Sequence, residues 1–100
     1  FGRSCSERLT QAAIDLLQDL GYTVAHNKPY AGGFITEHYG RPAVACHALQ
    51  IEINRSLYVN EQDLQKLAGF EMLCADLHGF LSDLTSLPDD LFIAPPLAAE

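Results

Sequence analysis

Residues 47–58 read HALQIEINRSLY. Leu49, Ile51 and Ile53 alternate with Gln50, Glu52 and Asn54, which is the two-residue period of an extended strand. A helix competes for the same stretch, because Leu49, Ile53 and Leu57 are spaced by four. It would leave Ile51 off the stripe, so alternation accounts for more residues and 44–58 reads as the longest strand of the chain. The difficulty is the carboxylate at its middle. In an interior strand, Glu52 would be costly to bury unless it were paired, set near a metal or poised for proton transfer. In a half-exposed strand it would simply be solvated. Gln50 and Asn54 share its face, and Arg55 points to the other face unless the strand ends there. A carboxylate on rigid backbone is what a general base requires. Pattern alone leaves both readings open.

Working outward, SERLTQAAIDLLQDL (6–20) places Leu9, Ala12, Ala13, Leu16, Leu17 and Leu20 on one helical face, with Ser6 as cap and Gly21 as stop. Tyr22, Val24 and His26 alternate into a short strand that runs into the loop NKPYAGG (27–33). Phe34 to Thr36 reads as a second short strand and YGRP (39–42) as a turn. After the long strand, Asn60 reads as a helix N-cap with Asp63 in the first turn. Leu64 and Leu67 follow, Gly69 breaks the run, and a second helix resumes over 70–84 with Phe70, Leu73, Cys74, Leu77, Leu81 and Leu84 buried. Residues 88–100, with Pro88, Pro95 and Pro96, form an extended tail whose Phe92 and Ile93 could dock. Alternating helices and strands predict an α/β layered architecture, with one domain piece over 1–87.

The totals narrow the function. One hundred residues make one small domain, burying roughly two-thirds of its unfolded surface. Six basic against thirteen acidic residues give a formal charge of −7. No segment gathers the Lys and Arg that phosphate neutralisation needs, which argues against nucleic acid and against anionic membranes as partners. No apolar run approaches the ~20 residues of a membrane span, and the N-terminus lacks a signal-peptide layout. The opening FGRSC has no Met and leads to the expectation of a longer polypeptide. Cys5, Cys46 and Cys74 are odd in number and far apart, which suits a reducing compartment, and a cytoplasmic location is expected.

Residues able to do chemistry are few. His26, His38, His47 and His78 show no HxxxH or HExxH spacing, and there is no CxxC. DLHG (76–79) lies in a helical pattern where His78 is most simply a solvent-facing position. No zinc site can be written from these residues. Gly32 and Gly33 fit no phosphate-loop spacing. They are either a tight turn or a place where backbone approaches a ligand, which only Gly permits.

Taken together, GRSC (2–5), N-x-P-Y-x-G-G-x-I-T (27–36), HYGRP (38–42) and HALQIEINRSLY (47–58) resemble the C-terminal part of the N-formylglutamate amidohydrolase family. The likeness extends through the helix expected after Glu61, including the GF at 69–70, and leaves the tail 88–100 unaccounted for. What it implies is a zinc-dependent amidohydrolase acting on N-formyl-L-glutamate in histidine breakdown. The implied fold is a three-layer α/β/α arrangement with a mixed sheet, similar to the zinc carboxypeptidases and aspartoacylase, of which this chain is a fragment. Its zinc ligands are expected upstream, with none in this chain, and the chain is expected to pack against the rest of its own domain.

The same resemblance assigns Glu52 the role of general base, taking a proton from the attacking water. It makes Arg55 the first candidate for gripping a substrate carboxylate, since its fork matches that group. Arg41, Asn27, Gly32, Gly33 and Gln50 complete the expected substrate-binding set, although arginines also tie loops down and Asn makes its own turns. Tyr58 is either a site wall or plain core. Two further readings remain: a zinc hydrolase of another N-acyl amino acid or peptide on the same scaffold, and a non-catalytic binding or assembly domain.

Overall fold

Ser6, itself on extended backbone, caps the first helix, α1 (Glu7–Asp19). Its hydroxyl accepts from the Leu9 N–H at 3.2 Å, satisfying one of the donors every helix start leaves open. The helix closes as the sequence predicts. Gly21, at φ +97°, lets its own N–H reach the Gln18 carbonyl and the Tyr22 N–H reach that of Leu17. That pair of bonds is the Schellman arrangement, which needs a left-handed residue at Gly21. Leu9 and Ala13 are buried, together with Thr10.

The computed structural model describes residues 4–27 and 32–93. They fall into two compact units, one drawn from Phe1–Gln50 and Leu87–Glu100, the other Ile51–Ser86. The first contains α1, a short helix α2 (Phe34–Tyr39), and one-turn 3₁₀ segments at Pro42–Val44 and Asp89–Leu91. The second contains the 3₁₀ turn Arg55–Leu57 and the helix α3 (Gly69–Thr85). No helix is long and apolar enough to cross a membrane among the described residues.

The first unit is tied together at residues 4–6. The Ala48 N–H donates to the Ser4 carbonyl at 2.8 Å. The Ser6 hydroxyl lies 3.3 Å from the Leu91 carbonyl. Arg8 pairs with Asp90 at 2.9 Å, an exposed contact of small energetic weight. Gly40, buried at the end of α2, packs directly on Ser4: a Cβ at that position would meet the Ser4 carbonyl oxygen at 2.6 Å. The glycine of the YGRP turn is therefore required by close backbone approach.

The structure corrects several expectations. The segment expected as a strand at 34–36 is the start of α2. Thr36 exchanges hydrogen bonds with both the N–H and the carbonyl of Gly33, at 3.1 and 2.9 Å, and Phe34 stacks on His38 one turn along. Local capping outweighs the strand propensity of Phe-Ile-Thr. Residues 22–26 enter no strand. The stretch 47–54 is extended, but it joins no ladder and turns into a 3₁₀ segment at Arg55. The expected mixed sheet is accordingly absent among the described residues, where the β-type pairings are isolated bridges, Arg41 with Cys46 and Val59 with Lys66. Leu49, Ile51 and Ile53 remain 38, 44 and 37% exposed. Alternation specifies an extended backbone, but a sheet also needs a neighbour to receive the hydrogen bonds.

In the second unit Asn60 caps no helix. Its side chain accepts from the Gln62 N–H at 2.9 Å, a turn closed on itself. The loop then returns through Leu64, which takes φ +61° while 67% exposed. Gly69 begins α3 rather than breaking it, its Cα lying against the Leu57 carbonyl region, where a Cβ would come to 3.2 Å. The buried face of α3 is also rotated from the expected one. Leu73 and Phe80 are buried, Leu77 and Leu84 half-buried, and Cys74 and Leu81 exposed. Phe80 is the largest fully buried side chain, and its burial favours this orientation of the helix.

The tail of the sequence begins inside the first unit, with Pro88 leading the Asp89–Leu91 turn and Phe92 half-buried. Residues 94–100 lie outside the described residues, as do Gly2 and Arg3 of the GRSC motif and Lys28–Ala31 of the NKPYAGG loop.

Two substitutions should move stability in opposite directions in urea unfolding of the chain. Gly40→Ala forces a methyl into the Ser4 backbone and is expected to cost about 1–3 kcal/mol. Leu64→Gly relieves the left-handed backbone at an exposed site, and after the entropy of the added glycine should gain about 0.5–1 kcal/mol.

Candidate active site

In the first unit the structure brings Gly33 and Gln50 together. A Cβ on Gly33 would meet the Gln50 Oε1 at 3.2 Å, so the amide head lies against the glycine backbone. Gly32 precedes it at φ +79°, and a Cβ there would meet the Thr36 Oγ1 at 2.7 Å. Both glycines thus admit a neighbour closely, and the neighbours in place are Thr36 and Gln50. Asn27, half-buried, takes left-handed backbone at φ +60°. Arg41 is turned onto its own loop. Its guanidinium donates to the Gly40 carbonyl at 2.9 Å and to the Glu37 carbonyl at 3.4 Å, while its backbone bridges to Cys46.

In the second unit Glu52 lies on the extended segment with its side chain at the surface. Two residues on, Asn54 ends that segment. Its Oδ1 accepts from both the Ser56 N–H at 3.0 Å and the Ser56 hydroxyl at 2.8 Å, forming the Arg55–Leu57 turn. Arg55 is the first residue of this turn. Its Nε lies 3.7 Å from Glu61 Oε1, with both side chains more than half exposed. Such a pair contributes under about 1 kcal/mol, so a carboxylate ligand could replace Glu61 at little cost. Tyr58 meets Phe70 edge-on at 5.9 Å between centroids, and Lys66 sits 4.5 Å over the Phe70 ring. Tyr58 is therefore part of the packing between the turn and α3.

Thr36, Asn54 and Glu61 were not picked out from the sequence. Asn54 carried a signal, an Asn two residues before Ser at the end of an alternating run. Thr36 was hidden by the strand reading of its segment, and Glu61 by the helix expected there.

The histidines and cysteines are dispersed. His38 stacks on Phe34 and meets Tyr39 edge-on, His26 and His78 are exposed, and His47 is engaged with backbone. Cys5 is a buried free thiol. Burial pushes its pKa up, and a hydrogen bond with the Thr10 hydroxyl works against that rise, so it is kept from the thiolate form a nucleophile needs. Among the described residues no three His, Cys, Asp or Glu side chains are gathered so that they could hold a metal ion. They do not fit the zinc that the family resemblance implies, and no step through zinc is derived from them.

A family model for N-formylglutamate amidohydrolase matches residues 1–59. The chain belongs to the N-formylglutamate amidohydrolase family. Relatives in that family include an N-formylglutamate deformylase of Pseudomonas putida, 36% identical over 63 residues, a match covering 62% of this chain and 24% of the relative. An N-formylglutamate deformylase of Pseudomonas aeruginosa is 43% identical over 42 residues, covering 42% of this chain and 16% of the relative. Among solved structures, the N-formylglutamate amidohydrolase of Ralstonia eutropha JMP134 matches with a TM-score of 0.76 and 38% identity, over 84% of this chain and 30% of that one. The chain therefore shares its backbone course with part of a known amidohydrolase, and it spans a quarter or less of the curated relatives it matches.

Within this family member the two glycines should differ in tolerance. Gly32→Ala combines a left-handed backbone with a close oxygen and is expected to cost about 1–2 kcal/mol. Gly33→Ala sits on extended backbone and meets only the movable end of Gln50, so unfolding should show a loss of under about 1 kcal/mol.

Proposed function

We propose that this chain is a portion of an amidohydrolase that releases formate from N-formyl-L-glutamate, with Glu52 as its general base. Membership in the N-formylglutamate amidohydrolase family is the observation that carries this reading. The position of Glu52 supports its role: it stands at the surface of an extended segment whose far end is fixed by Asn54, and so has access to solvent and a constrained backbone. In the proposed step Glu52 accepts a proton from water as its oxygen attacks the formyl carbon, and then returns that proton to the departing amine of glutamate. Arg55 binds one of the two substrate carboxylates, exchanging Glu61 for the ligand. The Gln50 amide beside Gly33 supplies a neutral donor, the lack of side chains at Gly32 and Gly33 permits close approach, and the Asn27 amide is a further polar group for the substrate. Arg41 contributes by holding the end of α2, through its bonds to the Gly40 and Glu37 carbonyl oxygens.

Any zinc is held by residues other than those described here, and when bound it would polarise the formyl carbonyl. The row of Leu49, Ile51 and Ile53 is covered in this proposal by the rest of the amidohydrolase domain, where 47–54 would take its place as a strand of a mixed sheet. An extended backbone that joins no ladder, with a third or more of each apolar side chain in water, supports that reading. The free thiols support a cytoplasmic location.

The test is formate release from N-formyl-L-glutamate by the complete gene product, with Glu52→Gln beside it. Wild-type turnover with a fall of about a hundredfold or more in kcat for the variant is the expected result. Equal activity of the two proteins would remove Glu52 from the mechanism, and absence of formate from the wild type would overturn the substrate. The 100-residue chain alone is expected to give no formate above the uncatalysed rate under the same assay. Turnover by it would show that the chain carries a complete site.

A further inference from the structure

The ring of His47 is held from both sides by backbone of other segments of the first unit. The Ser6 N–H donates to Nδ1 at 3.1 Å, and Nε2 lies 2.6 Å from the Phe92 carbonyl oxygen. A peptide N–H can only donate and a carbonyl can only accept. Nδ1 must therefore be bare and Nε2 must carry the proton. The surroundings select one tautomer of the neutral ring and exclude the imidazolium, in which Nδ1 would become a donor facing the Ser6 N–H. The Phe92 ring closes the contact edge-on, 6.2 Å from the imidazole.

The bond at Nδ1 is placed where much depends on it. Ser6 is the N-cap of α1, its hydroxyl engaged with the Leu9 N–H and the Leu91 carbonyl, and the residue next to His47 donates from its backbone to Ser4. One imidazole thus fastens the start of the first helix, the entry to the extended segment and the 91–92 segment. We propose that His47 is an acid-released clasp: as the neutral ring it holds the start of α1, and on gaining a second proton it gives up Ser6 while keeping Phe92. This inference concerns the first unit only and does not depend on the catalytic role of Glu52.

The charged and titratable groups on the elements that meet at the ring are Cys5, Glu7 and Arg8 at the start of α1, and Asp89 and Asp90 before Phe92; Cys46 adjoins His47 on its own segment. Arg8 and Asp90 are already paired at 2.9 Å. Of these groups the imidazole is the one whose protonation would turn an acceptor of the Ser6 N–H into a donor. The sign follows from the geometry. The clasped state takes up no proton at Nδ1 and the opened state does, so lowering the pH favours opening.

Two readings on the full chain, isotopically labelled, test this. Imidazole ¹⁵N–¹H spectra at pH 7.5 should show His47 with its proton on Nε2. Amide exchange, corrected for intrinsic rates, should show Ser6 protection falling by about tenfold per pH unit once the ring gains its second proton, while Ala13 in mid-helix is unaffected. His47→Asn retains an acceptor near the Nδ1 position but cannot titrate, and should make Ser6 protection independent of pH. A proton on Nδ1 at pH 7.5, or wild-type Ser6 protection that is equal at pH 7.5 and 5, would overturn the proposal. Those two wild-type readings decide it even if the variant does not fold.

Discussion

Close backbone contact at residues 4–6 is the constraint on which the first unit depends. Ser4 receives the Ala48 N–H and lies directly against Gly40, and Ser6 caps α1 while giving its own N–H to His47. Motifs that are far apart in the chain, GRSC, HYGRP and HALQ, become neighbours through this one short segment. Each contact uses main-chain groups or an atom-sized gap, so each tolerates little change. A glycine at 40 and a nitrogen acceptor at 47 follow from that crowding.

The second unit is organised by a turn. Asn54 closes on Ser56, the Arg55–Leu57 segment packs under the start of α3, and Tyr58 meets Phe70. The extended stretch that carries Glu52 enters this turn, so the position of Arg55 three residues later is set by Asn54 and not by any sheet. That arrangement holds a carboxylate and a guanidinium on short, defined backbone. In the proposed function these two groups serve proton transfer and carboxylate binding.

Of the candidate site, Glu52 stood out as a carboxylate within an apolar alternation, while its expected role and that of Arg55 came from the family resemblance and not from the pattern. Gln50 was legible only as a neighbour of Glu52; its contact with Gly33 arises from chain folding that no spacing rule conveys. Arg41 shows the opposite case. Its charge suggested a ligand group, while the nearest acceptors are the carbonyls of Gly40 and Glu37, and short-range geometry accounts for its position. His47 was noticed as a possible metal ligand and set aside for want of spacing. Its partners are backbone groups near the two ends of the chain, which leave no mark in the sequence around it.

By itself the sequence determined what short-range chemistry determines: α1 from Ser6 to its glycine stop, the turns at Asn54 and Gly40, and the extended form of 47–54. These rest on bonds between residues a few positions apart, where side-chain type and backbone preference decide the outcome. The helix at 34–36 is equally local, since Thr36 bonds Gly33 three residues back, although strand propensity masked it. Tertiary structure decided the rest. The face of α3 turned to bury Phe80, and the residues of 47–54 stayed extended without becoming a strand. A strand is a property of two segments and a buried face is a property of what lies against it, so neither is fixed until distant parts of the chain have met.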